Sequence, residues 1–478
     1  MLSLLFKSGR GLPRAVLGFG LVVAAAGVAE NHRDEERKRK GRGAYSTAIE
    51  RSRELLRRTK DEVGTPGVVV GVSVDGQAVW TEGLGFADVE NRVQCTAETV
   101  MRVASISKSF TMAAIAKLWE EGRLDLDAPV QKYVPEFPEK EFEGEKVVIT
   151  TRLLVSHLSG IRHYEKDVQK IRKELEKAQP GRSGPPPGAT TEKPVLGTDG
   201  KNDTKELSVA ANRKSRGLEP EEFYIKEKFD SVIDALELFK NDALAFKPGT
   251  HFLYSTHAWT LLSAVVERAS GQKFLDFMLQ MFKDLGMKNT LPEEHEPIIY
   301  NRARFYNFNE KKRLVNTPYV DNSCKWAGGG FLSTVNDLLT FGNVLLYSYQ
   351  AKAADRILPG YLKPDTVSMM WTQVPNTKMS WDRDGKYAMG WGTVEKKMDF
   401  GHCRHQRHYV SHTGGAVGAS SVLLILPAVE DHSPSNTNMV VPPKGVVVTI
   451  IANMQATGLN STALKIALEF EKEKSSNQ

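Results

Sequence analysis

Ser105-Ile106-Ser107-Lys108 places a serine hydroxyl three residues ahead of a lysine. A serine hydroxyl is a weak nucleophile at neutral pH and needs an adjacent base. If Ser105 opens a helix, Lys108 follows one turn later on the same face. A lysine in a dry pocket can lose its proton and serve as that base. The positive end of the helix would favour negative charge developing beside the serine. In isolation the pair reads equally as a helix-capping serine and a solvated lysine. Two further runs make it part of a set. Tyr254-Ser255-Thr256 follows Phe246-Lys247-Pro248-Gly249, in a turn from which a tyrosine can face the serine and shuttle a proton. His412-Thr413-Gly414-Gly415 precedes an apolar, strand-like run. Its glycines would let a substrate backbone approach closely, so that an extended acyl chain or peptide adds to the strand edge. Nothing in the residues decides whether Lys108 or Tyr254 is the principal base, because that depends on neighbours distant in the chain.

These groups need elements to position them. A helical pattern runs from Ala44 to Lys60. Val68–Val74 and Ala78–Thr81 flank Asp75-Gly76, a type I′ hairpin signal. Ser105–Glu121 reads as a buried helix, Leu153–Leu158 as the start of another, and Trp259–Ala269 as a third. Ser421–Leu426 and Val446–Ile451 read as strands separated by a proline-bearing loop, 428–444. Strands at both ends of one unit, with helices between, predict an α+β fold. Its antiparallel sheet would be flanked by helices, with an inserted helical lobe.

The chain has 478 residues, with 64 basic and 58 acidic side chains. That small excess, with no basic and aromatic stripe, argues against a nucleic-acid partner. Cys95, Cys324 and Cys403 are too few and too scattered for a disulfide framework. His402, Cys403, His405, His408 and His412 crowd one stretch that could bind zinc. Arg404 and Arg407 intersperse them and no paired ligand spacing appears, so no metal site is assigned. No phosphate-binding or dinucleotide glycine motif appears, so no cofactor is implied.

Residues 1–29 contain no acid before Glu30 and carry an apolar run, Ala15–Ala29, shorter than the roughly 20 residues that span a bilayer. A mitochondrial presequence and a secretory signal fit this segment about equally. Residues 30–43 form a charged linker with a minor potential for binding an anionic membrane surface. Residues 165–221 start as a charged, helix-like run and continue as a charged, proline-rich insert too poor in apolar residues to pack. The expected globular unit is therefore 44–164 with 222–478.

The three runs, in this order, resemble the superfamily of penicillin-binding proteins and class C β-lactamases. Val100–Ser105, Leu154–Ile161 and Ala327–Thr334 also match it, and the resemblance covers about 60 to 470. The charged insert and N-terminal segment are similar to the animal mitochondrial branch of that superfamily. The resemblance implies an acyl-enzyme at Ser105, a proton-accepting or relaying Lys108, and a Tyr254 that assists the leaving group. It implies an oxyanion hole from the backbone N–H groups of Ser105 and Gly415. It also implies that His412, Thr413, Gly414 and Thr256 line the substrate cleft. One position departs from the pattern: where the superfamily usually has asparagine, Thr256 offers a hydroxyl but no amide, which puts β-lactam recognition in doubt. The branch implies a serine protease of the mitochondrial intermembrane space, linked to lipid metabolism. Its partner would be a peptide or protein substrate, and the chain would form homo-oligomers or filaments. A fold-retaining scaffold and a β-lactamase or esterase are the alternatives.

Overall fold

The computed structural model describes residues 43–177, 221–351, 360–400, 404–428 and 443–476, with side chains omitted at 399, 400, 404 and 405. The expected targeting segment, most of the linker, residues 178–220 of the insert and most of the 428–444 loop lie outside the described residues. Among the described residues no helix is long and apolar enough to cross a membrane.

An eight-stranded antiparallel sheet organises the chain. Its strands are β1 (Gly67–Val74), β2 (Gln77–Asp88), β3 (Val93–Gln94), β4 (Gly385–Tyr387), β5 (Gly392–Val394), β6 (Tyr409–Ala416), β7 (Ala419–Pro427) and β8 (Gly445–Ala452). The spatial order is β4-β5-β6-β7-β8-β1-β2-β3, so the two ends of the chain meet where Val68 pairs with Ala452. The β1–β2 turn is the one the sequence signals: Asp75 and Gly76 have φ of 50° and 77°, the left-handed pair that a type I′ hairpin requires.

Strands β1, β7 and β8 are buried along their whole length, because helices cover both faces. On one face, α1 (Ser46–Val63) and the C-terminal helix (Asn460–Ser476) pack Leu56, Ile466 and Phe470 onto Val68, Val70, Val422, Leu424 and Val448. The opposite face carries Val69, Leu423, Ile425 and Val447. These meet α2 (Ile106–Glu120) and a helix at Val335–Gln350, through Phe110, Phe341 and Leu345. Alternate residues of each strand therefore enter different cores. This explains why the strands read as continuous apolar runs rather than alternating ones. Within the charged stretch after 165, Val168–Lys177 forms a helix that seats Ile171 against Ala245 and Phe246.

Helix α2 is buried on nearly every side, since it runs between the sheet and the helical lobe. Phe110 is its central anchor, with edge-to-face contacts to Phe282, Phe331 and Phe341 at 5.2, 6.3 and 4.9 Å. Phe110→Ala removes a fully buried ring and leaves a cavity beside helix α2. The expected cost is about 3–5 kcal/mol, read as a lower denaturant midpoint.

Candidate active site

Ser105 stands at the junction between a short strand, Met101–Arg102, and helix α2. That strand pairs with Phe331–Ser333, and the Val103 N–H donates to the Phe331 carbonyl at 3.2 Å. The chain then has to reverse into the helix. Ala104 makes the turn with φ of 46°, a left-handed conformation that costs a non-glycine residue roughly 1–2 kcal/mol. The turn holds because its surroundings leave it no alternative. Gly414 of β6 lies directly against it: a methyl group there would sit 2.3 Å from the Val103 carbonyl oxygen and 3.1 Å from the Ala104 Cβ.

Lys108 is fully buried. Its Nζ lies 3.1 Å from Ser105 Oγ and donates to the Gly328 carbonyl at 2.6 Å. It also lies 4.8 Å from the centre of the Tyr254 ring. No carboxylate pairs with it among the described residues. Burial, reinforced by the charge of Lys325, holds its pKa well below the usual lysine value. Once deprotonated, the amine can still donate to Gly328 and keep a lone pair for the Ser105 proton. Ser107 and Thr111 stitch the same helical turn to this segment: Ser107 Oγ accepts the Phe331 N–H and Thr111 Oγ1 donates to the Ala327 carbonyl.

Tyr254 is half-buried at the cavity wall and hydrogen-bonded to Ser105; its withdrawal from water raises its pKa while that hydrogen bond opposes the rise, so the phenol keeps its proton. The ring lies over His157, with centroids 4.2 Å apart. His157 Nδ1 accepts the Ser255 N–H at 3.0 Å, and Ser255 Oγ donates to the Arg162 carbonyl at 2.6 Å. Ser255 Oγ also accepts the Ala258 N–H, capping helix α3 (Thr256–Ser270). The tyrosine is thus held through the residue that follows it. Thr256 begins that helix, with its hydroxyl bonded to Tyr164.

The His412 run divides. His412 is fully buried behind the site. Its Nδ1–H donates to the Thr413 carbonyl at 2.7 Å, which leaves Nε2 to accept the Tyr387 hydroxyl at 2.8 Å. Burial and then the Lys108 charge push its pKa down to about 3, so the ring is neutral. Gly414 makes room for the chain's own Val103 and Ala104, where the sequence suggests room for substrate. Gly415 faces open space, and it is Gly415, Ala416 and Val417 that wall the cavity beside Ser105. Beyond Ser411, where β5 stops pairing, the edge of β6 has no strand partner among the described residues. The zinc-like crowding does not assemble as far as it is described. His408 Nδ1 donates to the Val394 carbonyl and His412 faces Tyr387, while residues 401–403 lie outside the described residues.

The cavity in front of Ser105 has an empty volume of about 530 Å³ and is lined by Tyr254, Thr256, Gly328, Gly329 and Gly415. Its other walls, Arg102, Tyr164, Phe223, Asn322 and Lys325, were not singled out in the sequence. Arg102 adjoins the Ser105 motif and Lys325 adjoins Ala327-Gly328-Gly329, and those were the available signals. Phe223 belongs to the segment that follows the insert. Arg162 and Glu222, 2% and 4% exposed, hold that segment by a two-pronged ion pair at 2.7 and 3.1 Å. Burial alone would raise the Glu222 carboxyl, but His257 and Arg162 outweigh it and hold the pKa at about 2.

A serine at the start of a buried helix, with a buried lysine one turn on, is an arrangement that suits a serine hydrolase, and the chain belongs to the beta-lactamase family. The family model matches residues 53–192 and 207–468. The chain is similar to the Mus musculus protein named Serine beta-lactamase-like protein LACTB, mitochondrial. The two are 62% identical over 450 residues, 90% of this chain and 81% of the mouse protein. The Homo sapiens protein of the same name is 61% identical over 449 residues, with the same coverages. Two solved structures share the fold. The octameric penicillin-binding protein homologue from Pyrococcus abyssi is 22% identical with a TM-score of 0.59, covering 89% of this chain and 79% of its own. A class C beta-lactamase is 17% identical with a TM-score of 0.58, covering 88% and 96%.

Gly414→Ala tests whether the strand sets the nucleophile's position. The added methyl must push β6 or the Ala104 turn aside. Acylation of Ser105 is expected to slow on the order of 100-fold while the circular dichroism spectrum stays native. A variant acylated at the wild-type rate would show that the contact is not needed.

Proposed function

We propose that this chain is a mitochondrial serine peptidase that works through an acyl-enzyme at Ser105. The observation that carries the reading is a fully buried Lys108, without a counter-ion among the described residues, 3.1 Å from Ser105 Oγ. Ser105 Oγ attacks the scissile carbonyl carbon and its proton passes to Lys108 Nζ. The resulting oxyanion lies against the backbone N–H groups of Ser105 and Gly415, a device whose loss typically costs about 3–4 kcal/mol of barrier. Collapse of the intermediate breaks the C–N bond: Tyr254 hands its proton to the departing amine and takes in exchange the one that Lys108 gained, so that no phenolate is left and the lysine returns to its starting form. Water then cleaves the ester. Lys108 is the base because burial favours its neutral form; the same burial disfavours a Tyr254 phenolate.

Peptides are favoured as substrates by the edge of β6, which from His412 onward has no strand partner among the described residues and can accept an extended backbone next to Gly415. Thr256, its hydroxyl engaged with Tyr164 and with no amide to offer, speaks against a β-lactam. The mitochondrial location follows the relatives, whose names carry that word. An intermembrane-space site, a link to lipid metabolism and assembly into homo-oligomers or filaments complete the proposal, on the strength of the resemblance in the sequence.

A serine-directed acylating probe is expected to label Ser105, and Ser105→Ala to abolish the label, read by intact mass. Label that persists in the variant overturns the assignment. The pH profile of acylation tests the base. The neutral amine is the active form, so the rate rises as Lys108 loses its proton. That limb should fall below the ordinary lysine value of 10.5. A decline is expected only where Tyr254 ionises, above the ordinary value of 10.0. A rise centred at 10.5 or higher removes Lys108 as the base.

A further inference from the structure

His157 is a buried side chain of the site that exchanges no proton in the reaction. It is 1% exposed, and its φ of 60° is left-handed, an uncommon conformation for a residue other than glycine. Such a backbone persists only where its surroundings fix it. Here the Leu158 N–H donates to the Leu153 carbonyl and the Leu158 carbonyl accepts the Gly249 N–H, both at 2.8 Å. The turn aims two groups of one residue at a single segment. The His157 carbonyl accepts the Leu253 N–H at 3.0 Å, and its Nδ1 accepts the Ser255 N–H at 3.0 Å. The residues on both sides of Tyr254 thus hang from His157. Its ring also backs the Tyr254 ring and is boxed in by Phe252, Trp259 and Tyr387, with centroids 5.8, 6.1 and 4.8 Å away.

Nδ1 can accept only while it carries no proton. Burial first, then the charges of Lys108, His412 and His163, holds the His157 pKa well below the usual histidine value, so the ring is neutral. The Ser255 N–H then leaves the single ring proton to Nε2; the Trp259 indole N–H stands 3.4 Å from Nε2, long for a hydrogen bond. We propose that His157 is a positioning residue for the departure of the leaving group: by holding both neighbours of Tyr254, it keeps that hydroxyl where it can pass its proton to the amine. The role rests on Ser105 as nucleophile and Tyr254 as proton donor. It divides substrates by their leaving groups. An amine departs only with a proton, so breaking the C–N bond needs Tyr254 in place. A 4-nitrophenolate departs as the anion when the C–O bond breaks, so an activated ester needs only Ser105 and Lys108.

The test pairs a peptide that the full chain cleaves, taken from a random hexapeptide library, with the 4-nitrophenyl ester of its acyl part. His157→Leu removes the acceptor. It is expected to lower kcat/KM for the peptide roughly 100-fold, chiefly in kcat, and that for the ester less than about threefold. His157→Asn should recover at least about tenfold of the peptide rate, because asparagine tolerates positive φ and its Oδ1 can accept in place of Nδ1. Equal losses on both substrates overturn the role, since damage to the fold does not distinguish leaving groups. So does a His157→Asn variant no faster than His157→Leu. Nitrogen-15 spectra of the wild-type histidines give a check that does not depend on how a variant folds. At neutral pH His157 should be uncharged with its proton on Nε2, and a proton on Nδ1 overturns the role. A serine-directed probe separates the two levels. Label on Ser105 without an amide-to-ester split in the variants sinks only the role of His157. Turnover of the ester with no peptide cleaved removes the peptidase and this role with it, and no label with no turnover of either substrate sinks the hydrolase itself.

Discussion

A lysine amine removed from water and offered no carboxylate gives up its proton more readily, and the surroundings of Lys108 impose that condition. The burial comes from helix α2, which is enclosed between the sheet and the helical lobe and pinned by Phe110 among three other phenylalanines. A helix lying at the surface would leave the Lys108 ammonium solvated, with the proton affinity of an ordinary lysine. The Gly328 carbonyl then fixes the amine without demanding a charge, since a neutral amine donates to it as well as an ammonium does. The large apolar core and the proton chemistry of one serine are thus a single requirement.

Position is the second requirement, and backbone contacts meet it. Ala104 stays in a left-handed conformation because β6 presses on it from one side and Phe331 holds Val103 from the other. Tyr254 is placed by neighbours rather than by its own bonds alone: His157 supports its ring, and Ser255 ties the turn to His157 and Arg162. His412 supports the same cluster from behind, as a neutral acceptor for Tyr387. Tyr387 in turn packs at 4.8 Å from His157 and 6.0 Å from Tyr254.

The substrate side of the cavity has a different origin. Phe223 reaches it only because Arg162 and Glu222 clamp the segment beyond the insert, and Lys325 reaches it from the turn before Gly328. Chemistry and selection are therefore carried on separate parts of the chain. The first sits on the buried helix and the strand it abuts, the second on segments laid over them.

By itself the sequence determined the local matters. The hairpin at Asp75-Gly76 follows from residues that tolerate positive φ. The apolar runs at Ser421–Leu426 and Val446–Ile451 read as strands, and Ser105 and Lys108 share a helix face by spacing alone. The choice between Lys108 and Tyr254 could not be read there, because it turns on burial that distant segments create. Nor could the division of the His412 run, since whether a glycine makes room for substrate or for Val103 depends on which surface the strand meets. Tertiary structure decided how these residues are buried and what they face, because proton affinity and shape are properties of surroundings, and the surroundings come from residues far apart in the chain.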